Sequence, residues 1–375
     1  MKVVLPRNAT DVSPDAEFMR LALRLARRGF GRTSPNPMVG AVIVRDGVVI
    51  GQGWHRRAGK PHAEIEALSA AKSSTKGATL FVTLEPCSTH GRTPPCTDAI
   101  VAAGIRRVVA AAVDPNPTHR GKGFEVLRRA GIEVIAGVLG EQAAGLNEAF
   151  NHWIVSKMPL VTVKAAMSLD GKIATVRGES KWITGDTARG FGMRLRAGAD
   201  AILVGVNTIA QDNPSLTARV AGFSGKRLRR IVLDPHARTP TEAKVVSDAD
   251  AALTTIVVAN TAPRGRVEAL AARAQVLKAP SRNRVFDLRW LMRRLGEENV
   301  TNLLVEGGGE TNASFLSAGL AHRVAFFYAP MVLGGAKSPK GVGGKGAARL
   351  RDGIRLRDES WRRVGTDLLL TACVF

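Results

Sequence analysis

One histidine and two cysteines constrain what this chain can fold into more than any other feature. His62 lies two residues before Glu64, and Cys87 follows Pro86 and precedes Cys96. Imidazole and thiolate are ligands that zinc prefers, and a set of three leaves the fourth tetrahedral position for water, as catalytic zinc sites do. The alternative is a histidine at a helix start with two incidental thiols. We predict a catalytic Zn²⁺ site at His62, Cys87 and Cys96.

The residues around these ligands indicate the chemistry. A carboxylate beside a zinc-activated water can carry protons, and His-x-Glu followed by Pro-Cys and a second Cys is the pattern of zinc deaminases. Glu64 is therefore the candidate catalytic residue. Deaminases that act on nucleic acid commonly carry Pro-Cys-x-x-Cys, whereas eight residues separate Cys87 from Cys96 here. This spacing excludes a plain polynucleotide deaminase and favours a small substrate.

Local patterns place the ligands on specific elements. An apolar run over 78–84 predicts a buried strand directly before the cysteine loop. Pro61 precedes a predicted helix that begins at His62, and a second predicted helix over 97–103 has Cys96 near its start, where the helix dipole favours thiolate. Ligands on helix starts and on a loop beyond a strand are typical of α/β proteins.

Length and alternation predict the domain organisation. A chain of 375 residues is long for one core, and strands alternate with helices through both halves. We predict a three-layer α/β/α domain over 14–150, a linker over 151–159 and a second α/β domain over 160–375. The strands predicted in the second half cover 160–166, 201–205, 230–234, 254–259, 302–305 and 324–329, and its helices cover 187–196, 263–273, 287–295 and 311–318.

Two glycine-rich segments in the second half differ in their context. Glu306-Gly307-Gly308-Gly309 lies between a predicted strand and a predicted helix, where backbone amides can approach a pyrophosphate. A glycine-rich turn without function is the alternative. The segment 341–346 superficially resembles a phosphate loop, but no suitable helix follows it. We expect it to be a flexible loop.

Composition restricts the partners and the compartment. The net charge is +22, but the chain has one tyrosine and only 5% aromatic residues, which leaves few stacking platforms for nucleic acid. We therefore expect no nucleic-acid partner, and a phosphorylated substrate and cofactor would use some of the arginines. The three cysteines cannot form a disulfide framework once two bind metal, so we expect a cytoplasmic protein. No apolar run is long enough for a membrane span.

Several motifs in order resemble one known family over nearly the whole chain. They are Pro35–Gly40, Pro61–Glu64, Thr83–Ser88, Gly91–Cys96, Asp114–Pro117, Ser168–Lys172, Gly178–Thr184 and Val305–Gly308. The family is the bifunctional riboflavin-biosynthesis deaminase–reductase. The resemblance implies a cytidine-deaminase-like first domain and a dihydrofolate-reductase-like second domain. It also implies two reactions: zinc-dependent removal of the 2-amino group from a diaminopyrimidinone with a phosphoribosylamino arm, then reduction of the ribose to a ribityl chain by NADPH.

The resemblance also implies roles for individual residues. Glu64 takes a proton from the zinc-activated water and passes it to the leaving ammonia, and Asn36 lines the pyrimidine pocket. The implied NADPH positions are Ala166, Trp182, Thr208, Asp212, Pro235 and the segment 308–314, including Gly308 and Gly309. The implied positions for the phosphoribosyl substrate are Ser180, Arg196, Leu216, Arg219 and Glu306. Lys164 and Asp170 lie beside them as candidates for polarising the sugar.

Two departures from the family pattern matter. The family commonly has His after Pro-Cys-Ser, where this chain has Thr89 and then His90, so a substrate contact is altered or lost. Pro235 replaces a residue that can carry a hydroxyl, so it can contact the cofactor only through its backbone or by packing. A deaminase with a silent second domain is the alternative function. The family resemblance suggests a homodimer or tetramer joined through the reductase half.

Overall fold

The computed structural model describes residues 13–90, 94–220, 227–282 and 285–375. The Gly91-Arg92-Thr93 part of the cysteine motif lies outside these residues. The chain divides into two compact units, with Lys157 at the end of the first and Met158 at the start of the second. No helix in the described part of the chain has the length and apolar character required to cross a bilayer.

The first unit is built on a mixed sheet of strands in the order β2-β1-β3-β4-β5. β1 is antiparallel to β2 and β3, and β3, β4 and β5 are parallel. The strands are β1 (Gly40–Arg45), β2 (Val48–Trp54), β3 (Thr79–Val82), β4 (Arg107–Ala110) and β5 (Glu133–Ala136). The helices are α1 (Pro14–Ala26), α2 (Ala63–Ser69), α3 (Cys96–Ala102), α4 (Lys122–Arg129), α5 (Gly140–Leu146) and α6 (Glu148–Ser156).

Alternation along β1 explains the three layers of this unit. Successive side chains of a strand point to opposite faces of its sheet. Ala41 and Ile43 pack in a core with residues of α2, α3 and α4, whereas Val42 and Val44 pack in a second core with α1 and α5. Because both faces are covered, β1 is buried along nearly its whole length. The predicted α/β/α arrangement is confirmed.

The second unit is built on a sheet in the order β10-β9-β8-β7-β13-β6-β14-β16-β15, with β11 and β12 forming a separate pair. The pairs from β10 to β14 are parallel, and β16 and β15 add antiparallel strands at one edge. The strands are β6 (Leu160–Ser168), β7 (Ala201–Gly205), β8 (Arg229–Leu233), β9 (Thr254–Ala259), β10 (Gln275–Ala279), β11 (Ser281–Arg282), β12 (Val285–Phe286), β13 (Asn302–Val305), β14 (Arg323–Ala329), β15 (Leu356–Val364) and β16 (Asp367–Val374).

Helices cover both faces of this sheet. They are α7 (Asp186–Gly198), α8 (Val206–Asp212), α9 (Lys244–Ser247), α10 (Arg264–Ala271), α11 (Leu288–Glu297) and α12 (Gly309–Ser317), with short 3₁₀ turns at Arg27–Gly29, Ala251–Leu253 and Leu350–Asp352 elsewhere in the chain. One core joins α11 and α12 to the sheet, and another joins α8, α9 and α10 to its opposite face. The prediction of a second α/β domain is also confirmed.

Two expectations require correction. The residues expected to form a linker, 151–159, are largely helical, because α6 extends from Glu148 to Ser156 before Lys157 ends it in a left-handed conformation. The 341–346 loop is not a loose segment: the Gly343 amide donates to the Gly309 carbonyl, and the Gly344 amide donates to Glu310. The loop contacts leave no local sequence signal, because they join residues 34 positions apart. The helix α6 is different: it rests on local hydrogen bonds, such as that from the Lys157 amide to the Trp153 carbonyl, and buries none of its residues.

Gly40 offers a test of the packing between α1 and β1. A Cβ at this position would lie 2.0 Å from the Ala22 carbonyl oxygen of α1. Gly40→Ala therefore forces the helix away from the sheet, and we expect a loss of about 1–3 kcal/mol in the free energy of unfolding of the first unit. Denaturant unfolding measures the loss.

Gly145 provides the matched control for this substitution. It lies in α5, and a Cβ there would meet no atom within 4 Å. Gly145→Ala should be neutral or stabilise the unit by up to about 1 kcal/mol, since alanine is the better helix former. Equal effects of the two substitutions would contradict the packing described for Gly40.

Candidate active sites

The predicted zinc ligands converge from three elements. His62 precedes the first turn of α2, Cys96 is the first residue of α3, and Cys87 lies on the loop that follows β3. His62 Nδ1 is 3.3 Å from Cys96 Sγ and 3.5 Å from Cys87 Sγ. The donor atoms of all three lie within 4.8 Å of one another. Tetrahedral zinc places nitrogen and sulfur ligands about 3.5 Å apart, so these three residues fit the ion.

The protonation of this cluster also suits a cation. A hydrogen bond from Cys96 lowers the pKa of Cys87 to about 4, although burial opposes the shift and His62 assists it. The same hydrogen bond, together with burial, raises the pKa of Cys96. The hydrogen bond with Cys87 raises the pKa of His62. These shifts favour the thiolate at Cys87, and a divalent ion bound by both sulfurs would also displace the proton of Cys96.

Glu64 lies beside the cluster with an unsatisfied oxygen. The residue is 3% exposed, and its Oε2 atom is buried without a hydrogen-bond partner. Burial raises the pKa of this carboxyl, and the charge of His62 opposes the shift. A buried acceptor costs free energy unless something fills its place. A water bound beside the three donors would satisfy it, which is a second reason why the site fits a catalytic metal.

Asn36 is held by a residue that sequence reasoning missed. The Nδ2 atom of Asn36 is 3.1 Å from His55 Nε2, and His55 Nδ1 is 3.1 Å from the Pro61 carbonyl oxygen. Because a carbonyl can only accept, Nδ1 carries the proton and Nε2 accepts from Asn36. Burial lowers the pKa of His55, which favours this neutral form. The Asn36 carbonyl oxygen is therefore left for a ligand. Nothing at the end of β2 distinguishes His55 in the sequence.

The residue that replaces the usual family histidine is on the surface. Thr89 and His90 are both exposed on the loop after Cys87. The motif difference therefore lies on the rim of the site, outside the donor cluster.

In the second unit, an ion cluster lies where β13 ends. Glu306 follows β13 and is nearly buried; its carboxylate is 2.7 Å and 3.0 Å from two nitrogens of Arg196 and 3.8 Å from Lys164 Nζ. Burial alone would raise the pKa of Glu306, but the charges of Lys164 and Arg196 outweigh it and lower the pKa to about 2. Sequence reasoning selected all three residues but not their contacts with one another.

Two arginines fix the segment that carries Leu216. Leu216 is buried and has a φ of 52°, a left-handed conformation that is uncommon for a branched side chain. Arg196 Nη1 donates to the Thr217 carbonyl over 3.1 Å, and Arg230 Nη1 donates to the Ser215 carbonyl over 3.1 Å. Arg230 is 1% exposed and also holds Asp248. The burial of Arg230 has no local sequence signal; Arg219, beyond this segment, is exposed.

Other expected positions of the second unit make separate contacts. Ser180 Oγ donates to Asp212 Oδ1 over 3.1 Å, which joins an expected substrate position to an expected cofactor position. Trp182 is 68% exposed, and the guanidinium of Arg189 lies 4.5 Å from its ring centre. The remaining positions are partly buried: Ala166 in β6, Thr208 in α8 and Pro235 directly beyond β8 and Asp234.

The glycines after Glu306 have different reasons to lack a side chain. A Cβ at Gly307 would lie 2.3 Å from Thr311, and a Cβ at Gly309 would lie 2.2 Å from the Lys340 carbonyl oxygen. A Cβ at Gly308 would meet nothing within 4 Å. Gly307 and Gly309 are therefore required by packing, whereas the space beside Gly308, the residue before α12, is open to a ligand. Amides at a helix start favour phosphate there.

The ion cluster predicts a specific acid dependence. The pKa of Glu306 is about 2, against an ordinary value of 4.5, so its ionisation stabilises the folded state fully above pH 4.5. That stabilisation, about 3 kcal/mol, is lost as the pH falls from 4.5 towards 2. Glu306→Gln lacks it at every pH. The difference in unfolding free energy between wild type and variant should therefore be constant above pH 5 and shrink below 4.5. A difference that does not change with pH would contradict the coupling.

Both halves of the chain match known protein families. Residues 12–112 match the family described as cytidine and deoxycytidylate deaminase zinc-binding region, and residues 159–370 match the RibD C-terminal domain. The riboflavin biosynthesis protein RibD of Aquifex aeolicus is 43% identical over 95% of this chain and 97% of its own length. The Escherichia coli protein of the same name is 39% identical over 95% and 98%.

Solved structures agree with these relatives. Acinetobacter baumannii RibD superposes with a TM-score of 0.87 at 33% identity, covering 96% of this chain and 99% of that one. A Thermotoga maritima protein, described as a diaminohydroxyphosphoribosylaminopyrimidine deaminase/5-amino-6-(5-phosphoribosylamino)uracil reductase, superposes with a TM-score of 0.81 at 34% identity, with the same coverage. The resemblance inferred from the motifs is confirmed. The chain therefore belongs to the RibD family of riboflavin biosynthesis proteins.

Proposed function

We propose that this chain catalyses two consecutive steps of riboflavin biosynthesis. The first is hydrolytic deamination of 2,5-diamino-6-(5-phosphoribosylamino)pyrimidin-4(3H)-one, and the second is NADPH-dependent reduction of the ribosyl group to a ribityl chain. The observation that carries the proposal is the buried, unpartnered oxygen of Glu64 beside the donors of His62, Cys87 and Cys96. The full-length match to deaminase–reductases supports both steps.

The deamination follows from the groups around Glu64. Zinc, when held by His62, Cys87 and Cys96, makes a water nucleophilic at neutral pH. Glu64 accepts a proton as the water attacks the carbon bearing the 2-amino group, and it returns a proton to the nitrogen as ammonia leaves. A raised pKa suits this exchange, because the best proton carrier has a pKa near the working pH. The Asn36 carbonyl oxygen accepts a hydrogen bond from the pyrimidine.

The reduction uses the cluster in the second unit. The positions around Gly308 would hold NADPH, which when bound would supply the hydride for the sugar carbon, and a proton must reach the sugar oxygen as its ring opens. Lys164 is the candidate for polarising that oxygen, because the Glu306 carboxylate, 3.8 Å from its Nζ, orients it. Arg219 and the segment at Leu216 hold the phosphate, and Ser180 assists. Arg196 contributes chiefly by fixing Glu306 and the carbonyl beyond Leu216.

A deaminase with a silent second domain is the rival function. Such a domain would have no need to retain a buried carboxylate between two cations, because replacing a buried ion pair by apolar residues is often neutral or stabilising. The Glu306 cluster and the match of residues 159–370 to the RibD C-terminal domain favour an active reductase.

We also propose an assembly and a compartment. The family suggests a homodimer or tetramer joined through the reductase half, and its substrate is a small phosphorylated pyrimidine rather than nucleic acid. All three cysteines are free thiols, which suits a reducing cytoplasm.

Glu64→Gln tests the first step. The variant keeps the size of the side chain but cannot carry a proton, so we expect ammonia release to fall by at least about 10²–10⁴-fold. Bound zinc and reduction of supplied deaminated intermediate should remain at wild-type levels. Ammonia release, zinc content and NADPH oxidation are measured on the same preparation.

Glu66→Gln is the matched control, since Glu66 lies on the same helix and pairs with Arg56 near the surface. It should behave like wild type in all three measurements. If Glu64→Gln abolished both reactions in a folded protein, the assignment of the two steps to two sites would be wrong.

Arg219→Gln tests the second step. Loss of one charge-assisted contact to phosphate is worth about 1.5–3 kcal/mol, so the KM for the deaminated substrate should rise about 10–100-fold with a smaller change in kcat. Arg264→Gln, at an exposed position on α10, should leave KM unchanged. An unchanged KM in Arg219→Gln would remove this residue from the phosphate site.

A further inference from the structure

Glu85 makes contacts that neither reaction explains. It lies two residues before Cys87 and is 6% exposed. Its Oε1 accepts from the Gly123 amide over 2.9 Å, and its Oε2 accepts from the amides of Asp114 and Gly121 over 3.0 and 2.9 Å. One carboxyl group thus collects three backbone amides, all from the segment between β4 and the start of α4.

These contacts supply a helix cap from elsewhere in the chain. The residue that precedes α4 is Gly121, which has a φ of 81° and no side chain that could cap the helix. The first amides of a helix have no partner within it, and a negative group stabilises them. Glu85 therefore ties both the start of α4 and the Asp114-Pro115-Asn116-Pro117 loop to the backbone beside the cysteine.

The start of α4 also packs directly against that backbone. A Cβ at Gly123 would lie 2.1 Å from the Pro86 carbonyl oxygen, so only glycine allows this approach. Cys87, the residue after Pro86, also contacts the start of α3. Its carbonyl accepts a hydrogen bond from the Thr97 amide over 3.2 Å, and its sulfur accepts one from the Cys96 amide over 3.3 Å. Cys87 is held between two helix starts, and Glu85 fastens one of them.

We propose that Glu85 is a positioning residue for the metal site, because it clamps α4 against Pro86 and so holds the Cys87 sulfur where zinc requires it. The inference rests on the zinc site of the proposed function. It also accounts for the Asp114–Pro117 motif, to which the proposed reactions assign no role: the Asp114 amide donates to Glu85.

Zinc affinity of the whole protein tests this. In Glu85→Gln an NH₂ group replaces one of the two carboxylate oxygens. This donor would face backbone N–H groups, which are also donors, so at least one hydrogen bond is lost. Residues that hold the metal ligands in place change metal affinity by about 10–100-fold when they are mutated. We therefore expect the zinc dissociation constant of Glu85→Gln, measured by competition with a chelator, to be about 10–100-fold higher than that of wild type. Asp15→Asn is the control: it breaks the Asp15–Arg107 ion pair in the same unit, away from the cysteines, and should leave zinc affinity unchanged.

The outcomes separate the two levels of the proposal. If wild type fails to hold one zinc per chain, the proposed function itself fails. If wild type binds zinc and a folded Glu85→Gln binds it equally well, Glu85 is merely structural and the inference is overturned. Gly123→Ala probes the same contact without a change of charge and should also weaken zinc binding, whereas wild-type affinity in that variant counts against the clamp.

Hydrogen exchange on wild type decides the question if neither variant folds. Because coupling is reciprocal, zinc should slow exchange of the Gly121 and Gly123 amides more than exchange of the amides in β5. Equal effects on both sets would overturn the inference.

Discussion

Parallel strand pairing imposes one constraint on both units: every strand in a parallel set leaves the sheet at the same edge. In the first unit β3 and β4 are parallel, so Glu85 and Cys87 beyond the one strand meet Asp114 beyond the other. In the second unit β8, β7, β13 and β6 are neighbours, and the residues that follow them include Pro235, Thr208 and Glu306. Both candidate sites are assembled where the sheet ends and the backbone amides need partners.

Buried charge is the second feature that shapes the molecule. Glu306 lies between Lys164 and Arg196, and Arg230 is enclosed by Asp248 and backbone carbonyls. Apolar residues could often replace such a pair at little cost in stability, but a pair that loses one partner is strongly destabilising, so the geometry of these groups is closely defined. In the second unit, Arg196 and Arg230 hold the segment around Leu216 by hydrogen bonds to the carbonyls of Thr217 and Ser215. The Glu64 oxygen is the contrast, because it is buried without a hydrogen-bond partner beside the three metal donors and so fits a water bound there.

Much of this organisation could be predicted from the sequence, for physical reasons. His62, Cys87 and Cys96 have few explanations other than a metal, and the alternation of apolar runs predicts the two α/β units. The motif order identified the family. The sequence could not reveal that His55 fixes Asn36 or that Arg230 is buried, because each depends on contacts between distant residues. The pairing of Arg196 with Glu306 likewise has no local signal, because 110 positions of sequence separate the two residues.

A paired assay on zinc-loaded protein tests the central claim that one chain carries two successive activities. The diaminopyrimidinone phosphoribosyl substrate is added first, ammonia is followed without NADPH, and NADPH oxidation is then followed after the cofactor is added. The account predicts ammonia release without NADPH, and then NADPH oxidation only to the extent that deamination has already occurred. Ammonia release with no NADPH oxidation would contradict it and leave a deaminase with a silent second domain.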